Sequence, residues 1–324
     1  MIRVMAALFP RGRVMVCASM AIAALLNACG DAPTPPVSIG RLDRAISAMA
    51  DSSASLPDDM TAAADAWLYI TRGITPGSLP HPTRDSLLRA GRDSRAFAVF
   101  APDVERLLPP LREAEATLGL IDSLPARIYG MVSPYSQSVA MVDTVVIVAL
   151  NHYLGSDYEG YASFPDHLRR LKSAERLPLD VGEAWIRACH PFPDSVAAPT
   201  LLQLMAYEGT VLACLADQLH IADGEQLMGW TPEEWSEAVA HEKEAWHRIV
   251  ARELLFSDDE VVALRMIDPA PASVDVSPDA PGRLGRFIGL KIIRASGRDP
   301  ASILASGAYL DRTIAAPYAR AQAD

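Results

Sequence analysis

Basic residues are in short supply in this sequence: 29 Lys and Arg stand against 40 Asp and Glu, a formal net charge of −11 over 324 residues. Nucleic-acid binding draws on clustered basic side chains, so nucleic acid is excluded as a partner. Cysteine is scarce as well, at four residues, which rules out a disulfide-dense framework. No run after the first 28 residues is apolar for long enough to cross a bilayer, so the folded part is expected to be soluble. Catalytic signatures are missing too. There is no GxSxG, no phosphate loop and no CxxC, and Gly285-Arg286-Phe287-Ile288-Gly289 lacks the glycine spacing and preceding strand of a dinucleotide fingerprint. The one His-Glu pair, His241-Glu242, has Ala245 where a zinc hydrolase of the HExxH type needs its second His, and His247 lies around the helix. Glu233-Glu234 and Asp258-Asp259 read as solvated helix ends.

What is present starts with a targeting segment. Arg3, Arg11 and Arg13 form a positive n-region, Val14 to Leu26 is an apolar core, and Leu26-Asn27-Ala28-Cys29 resembles a bacterial lipobox. That order predicts cleavage after residue 28 and lipidation, palmitate included, of Cys29. Gly30 to Pro36, GDAPTPP, supports neither helix nor strand and reads as part of a tether over 29–37, leaving one mainly helical domain over 38–324. The expected location is the cell envelope: a membrane anchor through the N-terminal lipid, with the domain facing the periplasm. Loss of the three signal arginines takes the net charge to about −14. Once Cys17 is removed and Cys29 acylated, Cys189 and Cys214 remain, either as a disulfide pair or as separate core residues.

The first third reads as helices. Ser38 caps one through about Asp51 with Leu42, Ile46 and Met49 on one face; others follow from Pro57 to Arg72, ended by Gly73, from Thr83 to Phe100, and from Asp103 towards Ile121 with a break at Pro109-Pro110. Ala126 to Ser133 and Ser138 to Leu150 predict two strands joined by a turn at Pro134-Tyr135-Ser136. Together these give an α+β fold that is predominantly α-helical, with one small strand pair at about 126–150. Asn151 to Tyr161 is turn-rich; His167 to Lys172 and Val181 to His190 are short helical pieces. Thr231-Pro232-Glu233-Glu234 opens a helix reaching about Phe256, with Trp235, Val239, Trp246 and Ile249 towards the core. In Ser277 to Ile293 a Gly-rich turn feeds an apolar helix, whose Gly285 and Gly289 allow another backbone to come close.

The chain is organised around Thr200 to Leu219. At helical period Leu201, Leu204, Met205, Glu208, Val211, Leu212 and Leu215 share one stripe, so a carboxylate sits inside an apolar face. Such a group requires a cation, a metal or several donors. Two readings stand: Glu208 salt-bridges a neighbouring helix, or it is a metal-site carboxylate or the remnant of one. His190 is the lone His of the preceding helix, with Ile186 and Asp194 four residues to either side, so it belongs to no chelating pair.

Four stretches, taken with the lipobox, resemble the gliding-motility lipoprotein GldB family, whose relatives include zinc-dependent peptidases of zincin type. They are Asn151-His152-Tyr153-Leu154-Gly155-Ser156-Asp157-Tyr158; Thr200 to Thr210 with Tyr207-Glu208-Gly209; Gly229-Trp230-Thr231 followed by Trp235 and Trp246; and Pro281-Gly282-Arg283 to Ile293. In the peptidase relatives the resemblance implies HExxH on one helix and the third zinc ligand on the Glu-Gly helix after it. Glu208-Gly209 matches the second element. Leu179 to His190, LDVGEAWIRACH, does not match the first, and only Glu183 stands near the place of a base. The resemblance therefore implies a zincin-like scaffold without its metal, Glu208, Glu183 and His190 being vestigial candidates and Glu208 paired to a neighbour such as Arg187. It also implies association with envelope proteins of gliding motility and type IX secretion. The alternatives are a zinc metallopeptidase with an unusual set, His190 and Glu208 plus His152 or His167, and a periplasmic solute-binding lipoprotein with an apolar cleft.

Overall fold

Four short strands and fifteen α-helices make up the residues that the computed structural model describes, namely 37–49, 55–92, 95–125 and 127–323. The signal segment 1–28, Cys29 and the tether as far as Pro36 lie outside them. No helix among the described residues is long and apolar enough to cross a membrane. From Val37 onward the chain folds as one unit around a continuous apolar core.

The sheet differs from the simple strand pair that the sequence suggests. Strands β1 (Ile39–Arg41), β2 (Ile128–Met131), β3 (Val139–Val142) and β4 (Val145–Ala149) are ordered β1-β2-β4-β3. β1 pairs parallel with β2 and β2 parallel with β4, with Ile128 opposite Val146. The two sequence runs are thus parallel neighbours, and the hairpin lies inside the second run. Val142 faces Val145 across Asp143-Thr144, and Asp143 takes the left-handed φ of 52° that such a tight turn demands and that Asp tolerates. Every residue of β4, VVIVA, is buried, as befits an inner strand covered by helices. The expected Ser38 cap gives way to β1, whose Ile39 N–H also bonds Glu115 Oε1 at 2.7 Å.

Helices α1 (Leu42–Ala48), α2 (Thr61–Arg72), α3 (His81–Arg92), α4 (Arg95–Val104) and α5 (Leu108–Leu118) follow the first strand. Leu42, Ile46 and Met49 are buried as their spacing implies, Gly73 ends α2 at φ 68°, and Pro109 and Pro110 open α5 rather than break a longer helix. α1 packs on β2, and α2 on β3 and β4.

After the sheet come α6 (Asp166–Arg169), α7 (Arg176–Cys189), α8 (Leu201–Leu219), α9 (Glu225–Met228), α10 (Pro232–Ala240), α11 (Glu242–Ala251), α12 (Glu260–Ile267), α13 (Leu284–Ser296), α14 (Pro300–Ser306) and α15 (Ala316–Ala323). The helix expected from Thr231 to Phe256 is two, joined at His241. That break turns Val239 outward, 42% exposed, while Trp246 and Ile249 reach the core. Both α8 and α10 start with complete capping boxes, Thr200 with Gln203 and Thr231 with Glu234.

α8 is the axis of this half, touched by α7, α12, α13 and α14. Its approach to α13 depends on two glycines. A Cβ on Gly209 would stand 2.0 Å from the Gly289 carbonyl carbon, and one on Gly289 would stand 1.9 Å from the Met205 oxygen. Gly285, one turn before Gly289, serves another neighbour: a Cβ there would meet the Met266 oxygen of α12 at 2.8 Å.

Candidate functional site

Where α7, α8 and α13 meet, three helices bring charged side chains into the core. α8 supplies Glu208, 9% exposed; α7 supplies Glu183 and Arg187, one turn apart on one face; α13 supplies Arg286, 4% exposed. Arg187 donates Nη1 to Glu208 Oε1 and Nη2 to Glu208 Oε2, both at 2.6 Å. Arg286 donates Nη2 to Glu183 Oε2 at 2.6 Å, and its Nε lies 3.1 Å from Glu208 Oε2. Arg187 Nη2 also reaches Glu183 Oε2 at 3.4 Å. Two acids and two guanidinium groups therefore form one interlocked quartet.

The network extends in both directions. Arg176 donates Nη2 to Asp180 Oδ1 at 2.8 Å, Tyr153 OH donates to Asp180 Oδ2 at 3.0 Å, and Arg176 approaches Glu183 Oε1 at 3.6 Å. On the far side the Arg187 guanidinium lies 5.6 Å from the Tyr207 ring centre, and Tyr207 OH donates to the His190 carbonyl at 2.9 Å.

Burial alone would push both carboxylates towards the neutral form, but the guanidinium groups win. Arg286, Arg187 and Arg176 hold Glu183 down at about 2, and Arg187 with Arg286 holds Glu208 below the ordinary carboxylate range. Arg187 is raised in turn, because its attraction to Glu208 outweighs its own desolvation. A general base works best with a pKa near the operating pH, so a carboxylate pinned near 2 is ill suited to that role.

The other sequence-selected residues are placed elsewhere. His190 contributes its backbone carbonyl to Tyr207. His152 is buried with Nδ1 3.0 Å from Ser138 Oγ, and burial, aided by Lys172, drives its pKa down to about 4. His167 lines a separate cleft with Arg170 and Arg283. Among the described residues no group of three His, Cys, Asp or Glu side chains converges in a way that could hold a metal ion, so the set of His190, Glu208 and His152 or His167 is not assembled. Of the two arrangements open to Cys189 and Cys214, the structure has them apart: Cys189 is exposed at the end of α7, Cys214 is buried in α8, and no disulfide joins them.

Sequence reasoning found Glu208, Glu183 and Arg187 but passed over Arg286. The signal was available: a lone Arg between Leu284 and Phe287 in an apolar helix is as anomalous as Glu208 in its own.

The family described as gliding motility protein GldB matches residues 122–298, more than half of the chain and all of the quartet. The chain belongs to the GldB family. No curated protein and no solved structure matches it. The GldB match runs from the loop before β2 to just past α13, so it takes in β2 to β4 and the α7, α8 and α13 junction, while β1 and the first five helices precede it.

Proposed function

We propose that this GldB-family chain is a lipid-anchored envelope component that acts through protein contacts rather than by catalysis, on a zincin-like scaffold whose metal position has been taken over by arginine. The observation that carries this reading is the two-pronged grip of Arg187 on Glu208, reinforced by Arg286. In the peptidase relatives that the resemblance calls to mind, the corresponding Glu binds zinc. Here both of its oxygens face guanidinium groups, and a divalent cation brought among Arg176, Arg187 and Arg286 meets like charge. The residues present therefore do not fit zinc. Family membership supports association with gliding motility, and the lipobox at Cys29 supports attachment to the membrane with the domain on the periplasmic side. The partners would be envelope proteins of a motility or secretion complex.

Metal analysis and peptidase assays on the purified full chain test this reading. The expected result is substoichiometric zinc, with a melting temperature unchanged by chelator. Stoichiometric zinc whose removal abolishes peptide cleavage would overturn it. Labelled palmitate incorporated by the wild type but not by Cys29→Ser is the expected result for the anchor.

A further inference from the structure

The chain enters the domain at one end of the sheet. β1, β2 and β4 run parallel, and their register sets Ile39, Ile128 and Val146 side by side, so Ser38, Arg127 and Val145 lie at the same end. The Asp143-Thr144 turn closes that end as well. Glu115, accepting from the Ile39 N–H, ties the last turn of α5 to it, and the chain leaving α5 at Leu118 returns there as β2 from Ile128.

Within that return segment Leu118 and Ile121 are buried, while Leu120 between them is 46% exposed. Turn bonds from the Leu120 N–H to the Thr117 carbonyl and from the Ile121 N–H to the Leu118 carbonyl, both 3.1 Å, fix this arrangement. Trp185 of α7, half-buried, donates Nε1 to the Asp122 carbonyl at 3.3 Å. An outward-facing leucine and an indole therefore stand beside the end at which the N-terminal segment joins the domain. Large apolar side chains and Trp at a water boundary are the groups that settle at the headgroup depth of a bilayer.

Chain length restricts where a membrane can lie. Cys29 is eight residues before Val37, and a stretch of that length spans at most about 28 Å when fully extended. A lipid on Cys29 thus keeps this end of the sheet near the bilayer whatever path the intervening residues take. Charge selects among lipids: exposed Arg127 is outnumbered by exposed Asp122 and Asp143, which repel anionic headgroups.

We infer that this end of the sheet docks on the bilayer, with Leu120 inserted among zwitterionic headgroups and Trp185 beside it. The inference rests on the lipid anchor at Cys29 and extends it from a point of attachment to a seated face.

The test uses the full mature chain, purified with its lipid and bound to phosphatidylcholine vesicles. An environment-sensitive fluorophore is placed at Leu120→Cys or at Val274→Cys, each in a Cys189→Ser background; Val274 is 53% exposed on the loop between α12 and α13, and buried Cys214 escapes labelling. The label at 120 is expected to shift to the blue on vesicles and to be quenched by a lipid carrying a nitroxide at the headgroup, while the label at 274 keeps its spectrum in water. A protein that floats with vesicles while the label at 120 stays in water, or with both labels quenched alike, would overturn the docked face and leave the anchor standing. Wild-type chain that fails to float with vesicles, as Cys29→Ser is expected to fail, would overturn the anchor and this inference together.

Discussion

Arg187 and Glu208 meet through two parallel hydrogen bonds of 2.6 Å, joining α7 to α8 at a point where Glu208 is nearly out of reach of water. Removing the cation strands the anion. Arg187→Met is expected to cost about 3 kcal/mol, at the low end for a broken buried pair because Arg286 remains at 3.1 Å. Adding Glu208→Gln should recover part of that loss, since the buried charge is then gone. Urea unfolding of the two single variants and the double variant measures the coupling.

Acid is expected to destabilise the protein in two stages. His152 falls from an ordinary 6.5 to about 4 when folded. Its neutral form is favoured in the native state, so its contribution is complete above pH 6.5 and is lost as the pH drops towards 4, on the order of 3 kcal/mol. Glu183 falls from 4.5 to about 2, so its contribution is present above 4.5 and disappears as the pH approaches 2. His152→Gln should flatten the upper stage of a stability-versus-pH curve and leave the lower one in place.

Gly209 and Gly289 tolerate no side chain. Ala at either position would drive a methyl into backbone at 2.0 or 1.9 Å, and backbone, unlike a flexible side chain, has nowhere to move without separating α8 from α13. A loss of about 3 kcal/mol or more is expected for Gly289→Ala, read as a lowered denaturation midpoint.

The cap of α8 offers a milder test. Thr200→Ala removes the hydroxyl that accepts from the Gln203 N–H and breaks the reciprocal box, with an expected loss of about 1 kcal/mol in thermal unfolding.

Much of the centre could be read from residue types. Glu208 was conspicuous on an apolar stripe, and Arg187 was the nearest cation one helix earlier. The Arg286–Glu183 bond was hidden because 103 residues separate its partners, and helical periodicity carries no information across that span. The same limit governs the sheet. A three-residue β1 pairing with a strand nearly ninety residues away leaves no local trace, and two Val-rich runs look alike whether they end up parallel or antiparallel. The division at His241 was equally silent, for no Gly or Pro marks it. What did survive translation into three dimensions were signals whose cause is local: Gly73 closing α2, Thr200 and Thr231 opening their helices, and Leu42, Ile46 and Met49 turning inward.

Nearly every residue of α8 between Leu201 and Ala216 is enclosed by neighbouring elements. Its amide hydrogens are therefore shielded on all sides and held in helical bonds, and solvent deuterons gain access to them only when the whole molecule opens. Isotope exchange at this helix would in that case report the global unfolding equilibrium, whereas the exposed rim at Val239 and Val250 exchanges through local fraying.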